Sequence, residues 1–329
     1  MNEMMTLRAQ GKAELFGAVT AVLGFTPTQS LVLLPFCGER STGAMRADLP
    51  VSAEDAGPMV AQLLEMVCRV PGVTGFVAVV FTDGTAREHE PLAQALRLVA
   101  PLFDLAAIEI LYLTPTGWGD FFGAGEAPLD TLPPHPLPES VADGDQHAGA
   151  SLPVVDEQLR AGIRTARAVV ADTTACNLFE EVLGWDPAQL DPVKAAALAA
   201  HLAKPLLRDV ALIQWASSIE QGRDAMEMQR AGAIDAQVAA IIVGDSARPD
   251  PARLDSAFEV CRMVAAHTEG AQRAAALTVC GWLSWALGRS TRAAFFIEQA
   301  TRTVGAPTFT ATLAEIIDRG LVPAWAFAG

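Results

Sequence analysis

The sequence predicts an α/β domain with a mixed, partly parallel sheet, followed by an all-α domain of helical hairpins. Three observations carry this. Apolar runs suited to buried strands, SLVLLPF at 30–36, GFVAVVFT at 75–82 and AIEILYL at 107–113, all fall in the first third. Helical periodicity separates them, and strand–helix–strand succession argues for parallel pairs with right-handed crossovers. After Pro153 no strand is legible, only apolar residues at helical spacing with strong helix starts.

Taken in order, residues 13–23 place Leu15, Phe16, Val19, Val22 and Leu23 on one helical face, and Gly24 and Pro27 end that helix. Ser30–Phe36 suits a strand covered on both faces. A turn at 37–39 leads to a second strand. There Thr42, Ala44, Arg46 and Asp48 alternate with Gly43, Met45, Ala47 and Leu49. Ser52 to Asp55 reads as a capping box opening a helix to about Val70, and Thr85 to Glu88 as another opening one to about Asp104. The expected strands of one sheet are Ser30–Phe36, Met45–Leu49, Val77–Phe81 and Ile108–Leu113. The expected domains are 1–125 and 154–329. Between them, 126–153 is a Pro-rich acidic linker or wrap, with six acids and no Lys or Arg in 126–156. Helices are expected from Asp156 to about Leu183, from Asp191-Pro192, from Pro205 to Ser218, and near 223–243, 251–267, 271–287, 290–304 and 308–319. Gly281, Gly288, Ala293 and Ala300 stand where a tetratricopeptide-type hairpin places its small residues. One such unit is too little for a solenoid.

Three segments carry a family resemblance: Leu23-Gly24-Phe25-Thr26-Pro27 with Ser30 to Leu33 and Arg46 to Pro50; Leu206 to Leu212; and Cys280 to Gly288 with Ala293 to Ala300. With these the chain resembles the bacterial family catalogued as domain of unknown function 4192, over almost its whole length. The resemblance implies no reaction and no cofactor. The family's pattern includes cysteines after the last N-terminal strand. Gly117 to Pro138 here has none, so nothing that depends on those thiols carries over.

A net charge of −15 without a basic run opposes binding to phosphate backbones, so no nucleic-acid partner is expected. The polar start, MNEMMTLRAQGKAELF, has no signal-peptide core, and no apolar window reaches spanning length; no membrane partner is expected, and the cytoplasm is the expected location. Cys37, Cys68, Cys176, Cys261 and Cys280 lack C-x-x-C spacing and read as buried free thiols. The five histidines lie apart from one another, from Cys and from Asp at metal-ligand spacing, so no metal is expected. No G-x-S-x-G elbow or Walker loop occurs, which removes the motif-based reasons to propose an enzyme.

The candidate ligand-binding residues are Arg46, Asp48, Asp83, Thr85 and Trp118. Arg46 and Asp48 share one strand face: together they suit a carboxylate or phosphate, or simply a salt bridge. Asp83-Gly84-Thr85 follows a buried strand at a helix start, where open sheets bind ligands, yet an ordinary turn needs the same residues. The loop Gly117-Trp118-Gly119-Asp120 to Gly125 has the wrong spacing for a dinucleotide loop and precedes prolines, not a helix. Its aromatics read as anchors. Arg208-Asp209 reads as a buried ion pair orienting its helix against the sheet domain. Trp282, Trp285 and Trp325 read as packing. Two functions follow: a non-catalytic binding or scaffold protein presenting its helical half to a protein partner, or an enzyme or small-molecule sensor with its pocket at the strand ends. Convergence of the five candidates on one concavity favours the second; their burial in salt bridges disfavours it.

Overall fold

The computed structural model describes residues 11–23, 25–41, 43–133, 151–166, 175–232 and 236–327. Its contacts divide the chain into two compact units, 1–148 and 149–328.

The first unit is a mixed sheet with helices on both faces. The strands are β1 (Ser30–Cys37), β2 (Arg40–Ser41), β3 (Met45–Asp48), β4 (Gly75–Phe81), β5 (Ala106–Leu113), β6 (Trp118–Asp120) and β7 (Glu126–Ala127). Their order is β2-β1-β4-β5-β6-β7, and β3 pairs with β1 on the same side as β2. β4 and β5 are parallel; the other pairs are antiparallel. Alternation sorts the side chains. Leu31, Leu33, Phe76, Ala78, Val80, Ile110 and Tyr112 pack under helices α2 (Ala56–Cys68) and α3 (Glu90–Val99). Val32, Leu34, Val77, Val79, Phe81 and Leu111 face helix α1 (Lys12–Leu23), whose Phe16 meets Phe81 and Trp118 edge-on. Lys12 pins the start of α1 to the sheet through Glu109 at 2.7 Å and Asp120 at 2.5 Å.

The four expected strands are all present. The second of them is interrupted: β2 and β3 meet β1 in registers that differ by one residue, Phe36 opposite Ser41 but Ser30 opposite Asp48. That is a β-bulge, with Gly43 at φ +152 inside it. Pro35 accounts for its place. The Leu49 amide donates to the Gln29 carbonyl at 3.1 Å, so odd-numbered residues of β1 aim their main chain at β2 and β3. The missing N–H of Pro35 therefore falls at the gap between those strands, and a proline sits in a buried strand without costing a ladder bond. Two short strands were not expected. β6 and β7 extend the sheet into residues read as an irregular loop and the start of a linker. The capping box at Thr85 forms: its amide and hydroxyl both donate to Glu88 Oε1, at 3.3 and 2.8 Å. The one at Ser52 does not; the Ser52 hydroxyl donates to the Asp55 carboxylate at 2.7 Å, and a 3-10 turn precedes α2.

The second unit is helical throughout its described residues: α4 (Glu157–Ala166), α5 (Ala175–Val182), α6 (Pro192–Leu202), α7 (Pro205–Ala216), α8 (Ile219–Arg230), α9 (Ala236–Ile242), α10 (Pro251–His267), α11 (Gly270–Ala286), α12 (Ser290–Arg302) and α13 (Thr308–Asp318). The helix expected from Asp156 to Leu183 is described as α4 and α5, its middle lying outside the described residues, and the one expected near 223–243 as α8 and α9. Asp191 and Asp250 cap α6 and α10 through their side chains, each ahead of a proline at the first helical position. Small residues let these helices approach closely. Gly288, at φ +75, ends α11, and α12 runs back along it. A Cβ on Gly281 would stand 2.6 Å from Ile297 Cδ1, so a larger residue there requires the Ile297 side chain to move. The indoles are structural. Trp282, Trp285 and Trp325 are buried and donate to the carbonyls of Ile242, Leu321 and Ala286.

Polar ties cross this core. His267, 1% exposed, accepts the Asp156 amide at Nε2 (2.9 Å), and its Nδ1 meets the Met263 carbonyl at 2.7 Å, an arrangement that suits the tautomer with its proton on Nδ1. Arg253 holds Glu180 with two bonds, at 2.8 and 3.0 Å, and the buried Gln214 amide adds a third to the same carboxylate. Arg208 lies buried against Asp209, and its guanidinium rests 4.8 Å over the Phe309 ring, a partner within its own unit. Burial pushes the Asp209 carboxyl up despite Arg208. Of the five cysteines only Cys261 and Cys280 are buried; Cys68 is exposed and the other two are intermediate.

Replacing Ala293, fully buried beside the Gly281 contact, with Leu overpacks the α11–α12 seam. We expect a loss of about 1–3 kcal/mol in urea unfolding, and an unchanged midpoint contradicts the close-approach account. Glu180 makes a pH prediction. The Arg253 guanidinium, opposed by partial burial and aided by Gln214, holds its carboxyl below the usual carboxylate range. A depressed folded pKa stabilises above the unfolded value and loses that stabilisation as pH falls through the folded one. Glu180→Gln is therefore expected to melt lower at pH 7 and to lose less than the wild type between about pH 5 and 3; parallel profiles contradict this.

Candidate functional site

Register decides whether the candidate residues converge. Ser30, the first residue of β1, lies opposite both Asp48 at the end of β3 and Phe81 at the end of β4, and Phe81 lies beside Leu113 at the end of β5. Trp118 opens β6 opposite Leu113. Arg46, Asp48, Asp83, Thr85 and Trp118 thus belong to one end of the sheet. Gln29 ties that end together from a left-handed conformation, φ +45, unusual for a residue with a side chain. Its carbonyl accepts the Leu49 amide, and its side-chain oxygen accepts the Asp83 amide at 3.0 Å.

Four of the five candidate side chains are already engaged. Arg46, with 7% of its side chain exposed, donates from Nε to Ser30 Oγ at 2.8 Å and bridges to Asp48 at 2.5 Å. Asp48 is itself 81% exposed. The Thr85 hydroxyl is spent on Glu88. The Trp118 indole lies on Phe16, and its N–H donates to Thr131 Oγ1 at 2.9 Å. The five share an end of the sheet, but the side chains of Arg46, Asp48, Thr85 and Trp118 serve as clamps, cap and anchor, while Asp83 is held through its main-chain amide.

Sequence reading missed a hydroxyl–imidazole pair at the same end. Thr82 Oγ1 and His89 Nε2 are 2.9 Å apart, and the Gly84 amide donates to the same hydroxyl at 3.0 Å. Burial, opposed by Glu88, pulls the His89 pKa down and favours the neutral ring. The pair resembles a base beside a nucleophile. Thr82 is nonetheless 6% exposed, and its hydroxyl locks the strand-to-helix turn. Spacing of seven residues across a turn carries no recognisable motif.

Two adjoining hollows lie in the helical unit. A groove of about 790 Å³ between α12 and α13 is lined by Thr301, Ala306, Pro307, Ala311, Ala314 and Asp318, among others. A smaller hollow of about 310 Å³ continues beside it and shares Thr301, Ala314 and Asp318. Among the described residues no cluster of His, Cys, Asp and Glu has the arrangement of a metal site, and no helix is long and apolar enough to cross a membrane.

No curated protein and no solved structure matches the chain. The family model described as "Domain of unknown function (DUF4192)" matches residues 13–324, an N-terminal mixed-sheet region and a C-terminal helical region together, and the chain belongs to that family.

Proposed function

We propose that this chain is a non-catalytic binding protein whose helical unit receives a helical segment of a protein partner in the α12–α13 groove. The observation that carries this reading is the lining of the groove. Ala306, Ala311 and Ala314 leave room for a helix to approach, in the manner of helix-in-groove recognition. Asp318 lines both hollows and suits a basic side chain on the incoming helix, and the chain's charge of −15 favours a basic partner over a nucleic acid. The strand-end reading, an enzyme or small-molecule sensor, is weakened by the internal engagement of Arg46, Thr85 and Trp118. The expected bacterial cytoplasmic setting belongs to the same proposal.

The test is site-specific photocrosslinking in the native host. A benzophenone amino acid at Ala311 is expected to give a discrete protein adduct, abolished by Asp318→Lys. The same probe at Val193, exposed on α6, is the control. Identical adducts at both positions, or an adduct at Ala311 indifferent to Asp318→Lys, contradict the proposal.

A further inference from the structure

His89 has no role in the groove of the helical unit. It ends a 3-10 turn, Ala86–His89, that leads from the end of β4 into α3. Its Nε2 lies 2.9 Å from Thr82 Oγ1, which also takes the Gly84 amide at 3.0 Å. Counting protons sorts these contacts. The Gly84 N–H can only donate, so the hydroxyl accepts it and keeps one proton of its own to give. Thr82 is 6% exposed, and the imidazole is the acceptor set beside it. The arrangement that places every proton has Nε2 accepting from Thr82, with the ring neutral and its proton on Nδ1.

A second proton on the ring undoes that count. Nε2–H and the Gly84 N–H then both point at one oxygen, and the Thr82 proton faces a donor. The contact loses its hydrogen bond and gains a positive charge in a half-buried position. Among the described residues Glu88, on the same turn, is the charge that acts on the ring in the opposite sense. Its carboxylate is already taken by the Thr85 amide and hydroxyl, and burial outweighs it. Asp83, just after β4, and Glu90, which opens α3, are the neighbouring carboxylates; both are exposed, as is Arg87 on the turn itself.

We propose that this pair is an acid-released latch: protonation of His89 breaks its bond to Thr82 and opens the turn from Thr82 to His89, while the strands stay paired. At neutral pH the latch is shut. The Thr82 hydroxyl, the Gly84 amide and the Thr85 cap then hold the chain where it passes from strand to helix. The Asp83 amide adds a tie from this turn to Gln29 Oε1, so opening at His89 also loosens the joint with the start of β1. Val79, Val80 and Phe81 remain held by β1 on one side and β5 on the other. Burial holds the His89 pKa below its ordinary value. Such a group leaves the closed turn at full stability above the unfolded pKa, about 6.5. That stability is lost as pH falls from there to the folded pKa.

NMR titration of the ring nitrogens in the full chain, between about pH 8 and about pH 5, is expected to show a neutral ring protonated on Nδ1 and a His89 pKa below about 6.5. Thr82→Val keeps the side-chain shape, removes the bonded hydroxyl and is expected to raise that pKa. Hydrogen exchange of the stretch from Thr82 to Glu90, normalised to intrinsic rates, reads the opening itself. Its protection is expected to fall by up to about tenfold per pH unit below about 6.5, while β4 keeps its own. In His89→Gln, which gains no proton, protection of the same stretch is expected to be independent of pH. A His89 pKa at or above the ordinary value, a Thr82→Val pKa no higher than that of the wild type, or exchange that does not follow the His89 titration overturns the proposal. So does an undiminished pH dependence in His89→Gln. If either variant fails to fold, the other and the wild-type titration decide.

Discussion

The α/β unit depends on the double pairing of β1. Residues Ser30 to Pro35 are buried, and the strand is bonded to β4 on one side and to β2 and β3 on the other. Each fully buried Leu or Val there contributes roughly 1.5–3 kcal/mol by leaving water. Among the described residues no other strand of the unit meets three partners. Because β1 runs antiparallel to both β3 and β4, its first residue collects their last ones. The polar end of the sheet, from Arg46 through Gln29 to Asp83, follows from that one arrangement.

The same strand shows why a breaker residue need not break. Pro35 would remove a ladder bond at most positions of a central strand. Here its ring nitrogen points to the one stretch where the neighbouring strand bulges away. Local sequence and tertiary pairing agree, and the conflict between a proline and a buried strand disappears. The register shift beside β4 works in a similar way: Ile108 is the extra residue of β5 between Ala107 and Glu109, and it emerges to solvent.

Apolar runs and helix starts were legible because they report local periodicity, so the four principal strands and the helical second half could be read directly. The small-residue contact at Gly281 was legible for a related reason, since Gly281, Gly288, Ala293 and Ala300 stand at the spacing of small residues in a helical hairpin. β6 and β7 were not, because strands of two or three residues in a glycine-rich loop carry no period. The burial of Arg46 and the link from Thr82 to His89 depend on register between distant segments, which composition does not encode. Arg208 was read as an ion pair, but its stacking on Phe309 a hundred residues on could not be. The groove between α12 and α13 is a property of how two helices diverge, and no single residue announces it. Functional reasoning from the sequence was drawn to charged residues at strand ends. In the folded chain Arg46 and Asp48 are spent on holding the ends together, and the groove in the helical unit is lined by alanine and threonine with Glu315, Asp318 and Arg319.

Hydrogen exchange resolved by residue tests the central place of β1 most directly. The amides of Val32 and Leu34 point into the β4 ladder, as do those of Val77 and Val79 from the other strand. The account predicts that these four exchange last in the α/β unit, only through its global unfolding, while the outward amide of Asp48 exchanges orders of magnitude sooner. Exchange of Val32 and Leu34 at the rate of Asp48, with β4 still protected, would contradict it.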